Sequence, residues 1–368
     1  MTPPLPTRPR SRASPACAAN AGRGALSGAL AALRSAARVV LAAGSCAALV
    51  LAGHALAACG ASDEPGAHPS PASAAAAPTR YVFAFAWGSR GNDPGEFDQP
   101  KGVAVDGGGS VYVADRGNHR VQKFTGDGDL VAVWGRKGEA DGEFRVPSRI
   151  AVGPDDTVYV SDTQNHRVQA FEPDGTFTRA WGHEGDGPGE FLRPRGIAAG
   201  PDGSVYVSDE LAHRIQRFTA DGRYLSTWGS EGDKEGRFRQ PKDVATAPDG
   251  RVFVTDSANQ RVQVFAADGA FIAVLGGWGE GPGEFRGPRG IAVARDGRVL
   301  VSEFRGQCVE EFSPGYAPLG AWGREGIAPG RFDGPRGIAL GPDGRLYVAD
   351  MGNHRIQCFT PAGAESRP

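Results

Sequence analysis

Sulfur is scarce in this chain, whose 368 residues include only five cysteines and two methionines. The cysteines form no C-x-x-C pair, which excludes zinc modules and redox centres built on such pairs. The chain also has no G-x-S-x-G nucleophile elbow, no P-loop and no zinc-protease motif. These absences remove the commonest signatures of hydrolases, nucleotide-binding enzymes and zinc proteases.

Long amphipathic helices are missing too, because no segment shows a helical period of apolar residues. The 55 glycines and 28 prolines instead indicate turns and short strands. The length allows two average domains, but a single all-β ring can use most of it.

Acidic residues are absent from residues 1–59, which carry six arginines followed by an apolar run over 39–56. This order is typical of a secretory signal. The run ends in Leu56-Ala57-Ala58-Cys59-Gly60, which resembles the lipobox of bacterial lipoproteins. The resemblance implies that residues 1–58 are an export segment and that Cys59 is lipidated.

Two alternatives to a lipoprotein signal remain open, an uncleaved transmembrane anchor and an organelle transit peptide. An 18-residue run with His54 near its end is short for an anchor. The stretch before the run is longer than in a typical signal of about 15–30 residues, which favours a true start codon further downstream.

Residues 59–80 are rich in proline, alanine and serine and predict a disordered tether. Removing the six arginines of residues 1–59 leaves 34 basic against 42 acidic residues, a net charge of −8. A net-negative mature protein is a poor general binder of nucleic acid, so we expect no nucleic-acid partner.

The phrase F-x-x-P occurs six times, each copy beginning 47 residues after the previous one. The copies begin at Phe97, Phe144, Phe191, Phe238, Phe285 and Phe332. Equal spacing predicts six equal units, and 47 residues lies in the range of known propeller repeats.

Each unit has the pattern of four short strands, such as GVAV, VYVAD, HRVQKF and a last strand that ends in Trp-Gly in most units. Such strands joined by tight turns predict one antiparallel blade. A lone blade cannot bury both faces, whereas a closed ring can. We therefore predict an all-β fold, a six-bladed β-propeller of four-stranded antiparallel blades over residues 81–360.

The two ends of the repeat region complement each other. The sixth unit stops after its third strand at Phe359, and residues 81–88 match the fourth-strand pattern of the other units. We predict that this N-terminal strand completes the last blade and closes the ring. Residues 361–368 would then form a disordered tail.

A recurrent motif begins the third strands. In the first unit it reads Asn118-His119-Arg120-Val121-Gln122, with Asp115 three residues before it. This motif resembles the signature of NHL repeats, which implies a six-bladed propeller. WD40 repeats would show a Trp-Asp dipeptide, and kelch repeats a glycine pair and a longer period. The missing C-x-x-C pair also excludes the RING-type modules that accompany NHL repeats in some ubiquitin ligases.

Five units end the second strand with Asp and begin the third with Arg. The pairs are Asp115 with Arg120, Asp162 with Arg167, Asp209 with Arg214, Asp256 with Arg261, and Asp350 with Arg355. Their position across one hairpin favours structural, bidentate ion pairs over catalysis. In the fifth unit Glu303 replaces the Asp and Cys308 replaces the Arg, which supports the pairing.

Four histidines share one repeated position on separate blades. They are His119, His166, His213 and His354. Zinc needs nitrogens within about 2.0–2.1 Å of the ion, and side chains spread around a ring do not converge, so we predict no metal and no cofactor. A disulfide between Cys308 and Cys358 is disfavoured because the two residues lie out of register on adjacent blades.

The residue after each repeat proline is basic in five units, at a position that lines the channel in propellers. We call the resulting channel-mouth group the collar; it comprises Lys101, Arg149, Arg195, Lys242, Asp243, Arg289 and Arg336. Strand alternation places the collar on the same face as the Asp-Arg hairpins. Two interpretations stay open, an anion site and a hydrated rim, because unit charges 10 Å apart repel by only about 0.4 kcal/mol in water.

These features predict a binding module rather than an enzyme. We expect a monomer, anchored by lipid on the periplasmic or cell-surface side, that binds an envelope protein, a peptide or an anionic ligand. The alternative is a metal-dependent lyase or lactonase-like hydrolase, since relatives of this class resemble enzymes with metal ligands in the channel. Asp243 is the only acid predicted at the mouth, whereas calcium takes about 6–8 oxygens.

Overall fold

The computed structural model describes residues 81–363, which form six antiparallel sheets of four strands each. The predicted all-β, six-bladed propeller is therefore confirmed. Within these residues the only helical segments are two 3₁₀ turns, Thr163–Asn165 and Ser257–Asn259, and neither could cross a membrane. The predicted export segment, Cys59, the tether and residues 364–368 lie outside the described residues.

The strands follow the 47-residue repeat, four to a blade, and are numbered in chain order. The N-terminal strand is β1 (Tyr81–Trp87). Blade 1 contains β2 (Pro100–Val105), β3 (Val111–Asp115), β4 (Arg120–Phe124) and β5 (Leu130–Trp134). Blade 2 contains β6 (Pro147–Val152), β7 (Val158–Asp162), β8 (Arg167–Phe171) and β9 (Phe177–Trp181). Blade 3 contains β10 (Pro194–Ala199), β11 (Val205–Asp209), β12 (Arg214–Phe218) and β13 (Tyr224–Trp228).

The second half of the ring repeats this arrangement. Blade 4 contains β14 (Pro241–Thr246), β15 (Val252–Asp256), β16 (Arg261–Phe265) and β17 (Phe271–Leu275). Blade 5 contains β18 (Pro288–Val293), β19 (Val299–Glu303), β20 (Cys308–Phe312) and β21 (Pro318–Trp322). Blade 6 contains β22 (Pro335–Leu340), β23 (Leu346–Asp350), β24 (Arg355–Pro361) and the borrowed β1.

The ring closes through its inner strands and through β1. Each blade's first strand contacts the first strand of the next blade, and β22 contacts β2. Strand β1 pairs antiparallel with β24, with Tyr81 opposite Pro361 and Trp87 opposite Ile356. The two ends of the propeller therefore meet in one blade, as predicted.

The hydrophobic core lies between neighbouring blades rather than inside one sheet. One cluster contains Tyr112 and Val121 of blade 1, Phe144 of the connection to blade 2 and Phe171 of blade 2. Every other blade junction has a similar cluster. The Phe of each F-x-x-P phrase is fully buried. Each blade thus depends on its neighbour for burial of its apolar face.

The Trp-Gly turn explains the close fit of the repeat phenylalanine. Gly135 has φ of 90°, a conformation that side-chain-bearing residues rarely adopt. A Cβ atom there would lie 2.5 Å from the ring of Phe144. Glycine after the tryptophan therefore lets the chain turn directly over the buried ring.

The aspartate that ends each second strand organises the loops of one face. Asp115 accepts hydrogen bonds at 2.8 Å from the backbone N–H of Asp98 and from Nε of Arg120. The other Arg120 nitrogens donate to three carbonyls between residues 92 and 96. The corresponding N–O distances are 2.9 Å for Asp162–Arg167, 3.7 Å for Asp209–Arg214, and 2.8 Å for both Asp256–Arg261 and Asp350–Arg355.

The expectation of bidentate pairs in these hairpins was wrong. Only one nitrogen of Arg120 contacts the carboxylate, because its other nitrogens hold the incoming loop of the same blade. The arginine therefore connects a hairpin to a loop rather than only closing the hairpin.

The repeated histidines connect neighbouring blades. In three of them Nδ1 accepts a hydrogen bond from a backbone N–H of the next blade: His119 from Val146, His213 from Gln240 and His354 from Gln99, at 3.1–3.2 Å. Nδ1 of His166 instead lies 3.2 Å from the carbonyl of Phe191. Each histidine holds its own blade junction.

Candidate functional site

The six cations of the collar lie on the inner strands, at or just after the residue following each repeat proline. Four of them, Lys101, Arg149, Arg195 and Lys242, are at most 9% exposed. Arg289 and Arg336 are half-buried. The collar is therefore largely desolvated, unlike the hydrated rim that the sequence left open. Burial makes each unpaired charge costly and each charge contact stronger than in water.

Arg149 and Asp243 form a buried ion pair inside the channel. Nε of Arg149 lies 2.9 Å from Oδ2 of Asp243. The same guanidinium donates to the carbonyl of Lys101 at 2.6 Å and to that of Arg289 on blade 5, opposite blade 2, at 3.3 Å. The Arg149 side chain therefore spans the channel.

Glycines on the neighbouring inner strands make room for this pair. Arg149 and Asp243 occupy a repeat position that is Gly102, Gly196 and Gly290 in the adjacent units. A Cβ at Gly102 would lie 2.8 Å from the Cα of Arg149, and one at Gly196 would lie 2.6 Å from the Cα of Asp243. Larger residues are thus accommodated only where glycine stands beside them.

Glu210 is a second acid at the mouth, which the sequence reasoning missed. Its carboxylate contacts Arg195 and Lys242, so it bridges blades 3 and 4. Burial would raise the pKa of Glu210, but the two cations outweigh it and lower that pKa to about 2. Burial and repulsion from Arg195 lower the pKa of Lys242 to about 7 in spite of Glu210.

A sequence signal for Glu210 did exist. It lies directly after the strand-ending Asp209, at a position where all six units differ. The six residues at this position are Arg116, Thr163, Glu210, Ser257, Phe304 and Met351. We call it the variable mouth position; two of its side chains, Glu210 and Phe304, contact collar cations.

The other half of the collar has cations without carboxylates. Among residues 81–363, Lys101, Arg289 and Arg336 form no ion pair with an acidic side chain. Lys101 donates instead to the hydroxyl of Ser148 at 2.7 Å. The Nε atoms of both arginines are buried without a hydrogen-bond partner among the described residues, as is that of Arg195, so the lack of carboxylates is what separates this half from the other. These three cations, which we call the open collar, belong to the consecutive blades 5, 6 and 1.

Phe304 positions the two arginines of the open collar. The guanidinium carbon of Arg336 lies 4.0 Å from the centre of the ring and that of Arg289 lies 5.4 Å from it. Burial, followed by repulsion from Arg289 and Arg195, lowers the pKa of Arg336. Guanidinium groups stay protonated in proteins. The lowered pKa of Arg336 therefore indicates that Arg289 and Arg336 are two neighbouring buried cations without an anion between them.

Two cavities of about 470 Å³ each lie away from the collar. One is lined by Val105, Val293 and Leu340, which end inner strands, so it lies at the face opposite the collar. The other lies on the collar face between blades 2 and 3 and includes His166 and Arg145. Neither contains a residue of the open collar.

The cysteines of the ring are unpaired. Cys308 and Cys358 are both free, and Cys358 is fully buried. Cys308 instead lies beside two acids of blade 5, Glu303 and Glu310. The sequence analysis noted that Glu303 replaces the Asp and Cys308 the Arg of the other units. It missed Glu310, which stands where the other units have Gln.

Comparison with known families agrees with this architecture. The NHL repeat model matches residues 97–124 and 332–359, and the model for a 6-bladed beta-propeller matches residues 137–230 and 231–313. Between them these matches touch all six blades. No curated protein matches the chain.

Several solved structures share the fold at low identity. A protein of unknown function from Bacteroides thetaiotaomicron aligns with a TM-score of 0.60 and 20% identity, covering 77% of this chain and 76% of that one. A streptogramin B lyase aligns with a TM-score of 0.54 and 14% identity, covering 76% and 98%. A gluconolactonase from Xanthomonas campestris aligns with a TM-score of 0.54 and 15% identity, covering 78% and 99%. Such identities establish a shared fold alone.

Proposed function

We propose that this six-bladed β-propeller of NHL repeats is a binding module that takes an anionic group of its ligand at the open collar. The ligand would be an envelope protein, a peptide or a small molecule that carries a carboxylate or phosphate. The observation that supports this proposal is the set of three cations from consecutive blades, Lys101, Arg289 and Arg336, without carboxylate partners.

The contrast between the two halves of the collar supports an anion rather than a cation as ligand. In blades 2–4 Asp243 and Glu210 neutralise their neighbours. In blades 5, 6 and 1 no acidic side chain of the described residues pairs with the collar cations. A cation and an anion 4 Å apart attract by about 1 kcal/mol in water but by about 4 kcal/mol at an effective dielectric constant of 20. A ligand anion would therefore gain most at the open collar.

Catalysis by a channel metal has less support. The two acids at the collar are already engaged by cations, Asp243 by Arg149 and Glu210 by Arg195 and Lys242. Few oxygens are left to converge on a calcium ion, which takes about 6–8. The lyase and the gluconolactonase share the fold at 14% and 15% identity, which carries no activity over.

The proposed site of action is the outer side of a membrane, with Cys59 as the lipid-carrying residue. The lipobox-like sequence supports this localisation, and the net charge of −8 after residue 59 supports a partner other than nucleic acid. The loop-rich collar face would then be presented to envelope components.

The experiment tests anion binding by calorimetry with inorganic phosphate and citrate. The double variant Arg289→Met/Arg336→Met should lower the affinity for the anions at least tenfold, since both uncompensated guanidinium groups are lost. The control Arg251→Gln/Arg345→Gln removes the same charge from partly exposed ion pairs at the opposite face. Equal affinity in the collar variant and wild type, or no anion binding by wild type, would refute the proposal.

A further inference from the structure

The acid-centred network of blade 5 lacks the donors that the other blades share. In blade 1 the Asp115 carboxylate accepts hydrogen bonds from Asn118, Arg120 and Gln122. The three corresponding residues of blade 5 are Gly306, Cys308 and Glu310, arranged around Glu303. Blade 5 has therefore lost its cation and both amide donors and has gained a second carboxylate.

The three side chains of this blade-5 cluster converge. One ligand atom from each of Glu303, Cys308 and Glu310 lies within 4.8 Å of the others. Oε1 of Glu303 is 3.1 Å from Sγ of Cys308, and its Oε2 accepts the backbone N–H of Arg286 at 2.5 Å.

One carboxylate oxygen of the cluster has no partner. Glu310 is only 5% exposed, and its Oε2 is buried without any hydrogen bond within the described part of the chain. The guanidinium of the nearby Arg286 is engaged by Glu280 at 2.6 Å. A buried, unpartnered carboxylate beside a second carboxylate is costly, and a bound cation would remove that cost.

We propose that Glu303, Cys308 and Glu310 bind a divalent metal ion of the zinc class. The ion takes the place that the guanidinium holds in the other blades. A thiolate with two carboxylates is a donor set for zinc, with distances of about 2.3 Å to sulfur and about 2.0–2.2 Å to oxygen. Calcium and magnesium prefer sites made of oxygen alone. On binding, the thiol of Cys308 releases its proton to solvent.

The test measures zinc binding to the full chain after treatment with a chelator. Equilibrium dialysis against Zn²⁺ followed by elemental analysis should give one ion per chain. Cobalt substitution should give an ultraviolet thiolate-to-metal charge-transfer band. Cys308→Ser and Glu310→Gln should each weaken binding at least about tenfold, the smallest loss expected even for an outer-shell partner of a metal site.

The matched control restores the repeat network in blade 5. The triple variant Glu303→Asp/Cys308→Arg/Glu310→Gln should fold, as judged by its melting curve, and should bind no zinc at this position. The charge-transfer band should disappear in Cys308→Ser although the other cysteines remain. Wild type without stoichiometric zinc, equal binding by the triple variant, or a band that survives Cys308→Ser would each overturn the proposal.

Discussion

At the residue scale, the variable mouth position is one of the places where the six blades differ from one another. This position holds Glu210 in blade 3 and Phe304 in blade 5, and each contacts collar cations in its own way. The collar cations themselves are predictable, because they recur after each proline. Glu210 is harder to predict, because it occurs once in six repeats and only the variability of its position marks it.

Glu210 should carry a measurable share of stability. Glu210→Gln leaves Arg195 and Lys242 buried without their anion, and removing one partner of a buried pair costs about 3–5 kcal/mol. Denaturant unfolding at pH 7 measures this change. The control Glu139→Gln breaks an exposed pair with Arg145 and should change stability by less than about 0.5 kcal/mol.

The same residue predicts a pH dependence. The pKa of Glu210 is about 2 in the folded protein against an ordinary value of 4.5, so the unfolded chain binds more protons in that interval. Its contribution to stability is present above pH 4.5 and is lost as the pH falls toward 2. The stability difference between wild type and Glu210→Gln should therefore shrink from pH 5 to pH 2. A constant difference across this range would contradict the assignment.

At the element scale, the strands are predictable because the same apolar pattern returns at a fixed interval. Short apolar strands between Asp-Gly turns specify the blade, and the buried Phe of each F-x-x-P phrase specifies how blades stack. The detailed hydrogen bonds are less predictable. The loop carbonyls that occupy Arg120 lie 24–28 residues away along the chain, so the bidentate expectation missed them.

Phe144 tests the packing between blades. Phe144→Ala should destabilise the ring by about 3–5 kcal/mol, because it empties a fully buried site shared by blades 1 and 2. Leu130→Ala, at a position that is 40% exposed, is the matched control and should have a much smaller effect. Thermal and urea unfolding measure both. Equal losses in the two variants would show that burial at the blade junction does not dominate.

At the scale of the whole molecule, closure of the ring was predictable from the complementary ends of the repeat region. The pairing of Arg149 with Asp243 was not, because the two residues lie on blades 2 and 4 and meet only across a channel of the right width. The open collar was partly predictable. Its basic residues were assigned from the sequence, whereas only the structure shows which cations Asp243 and Glu210 engage and which it leaves without an acid.

Deleting residues 81–88 should abolish cooperative unfolding or cause aggregation. Without β1, strand β24 has a free edge, and the aromatic contacts of Tyr81 with Trp322 and of Trp87 with Tyr347 are lost. Calorimetry and light scattering measure the outcome. Removal of residues 364–368, beyond the end of β24, is the control. An unchanged melting transition after loss of β1 would argue against closure as the source of stability.

Arg149 of blade 2, which donates to the carbonyl of Arg289 on blade 5, also affects the centre of the ring. The guanidinium of Arg149 is held by Asp243 and by carbonyls on two blades, so its side chain lies across the axis of the ring. We therefore expect a ligand at the collar and a molecule in the cavity of the opposite face to bind independently of each other.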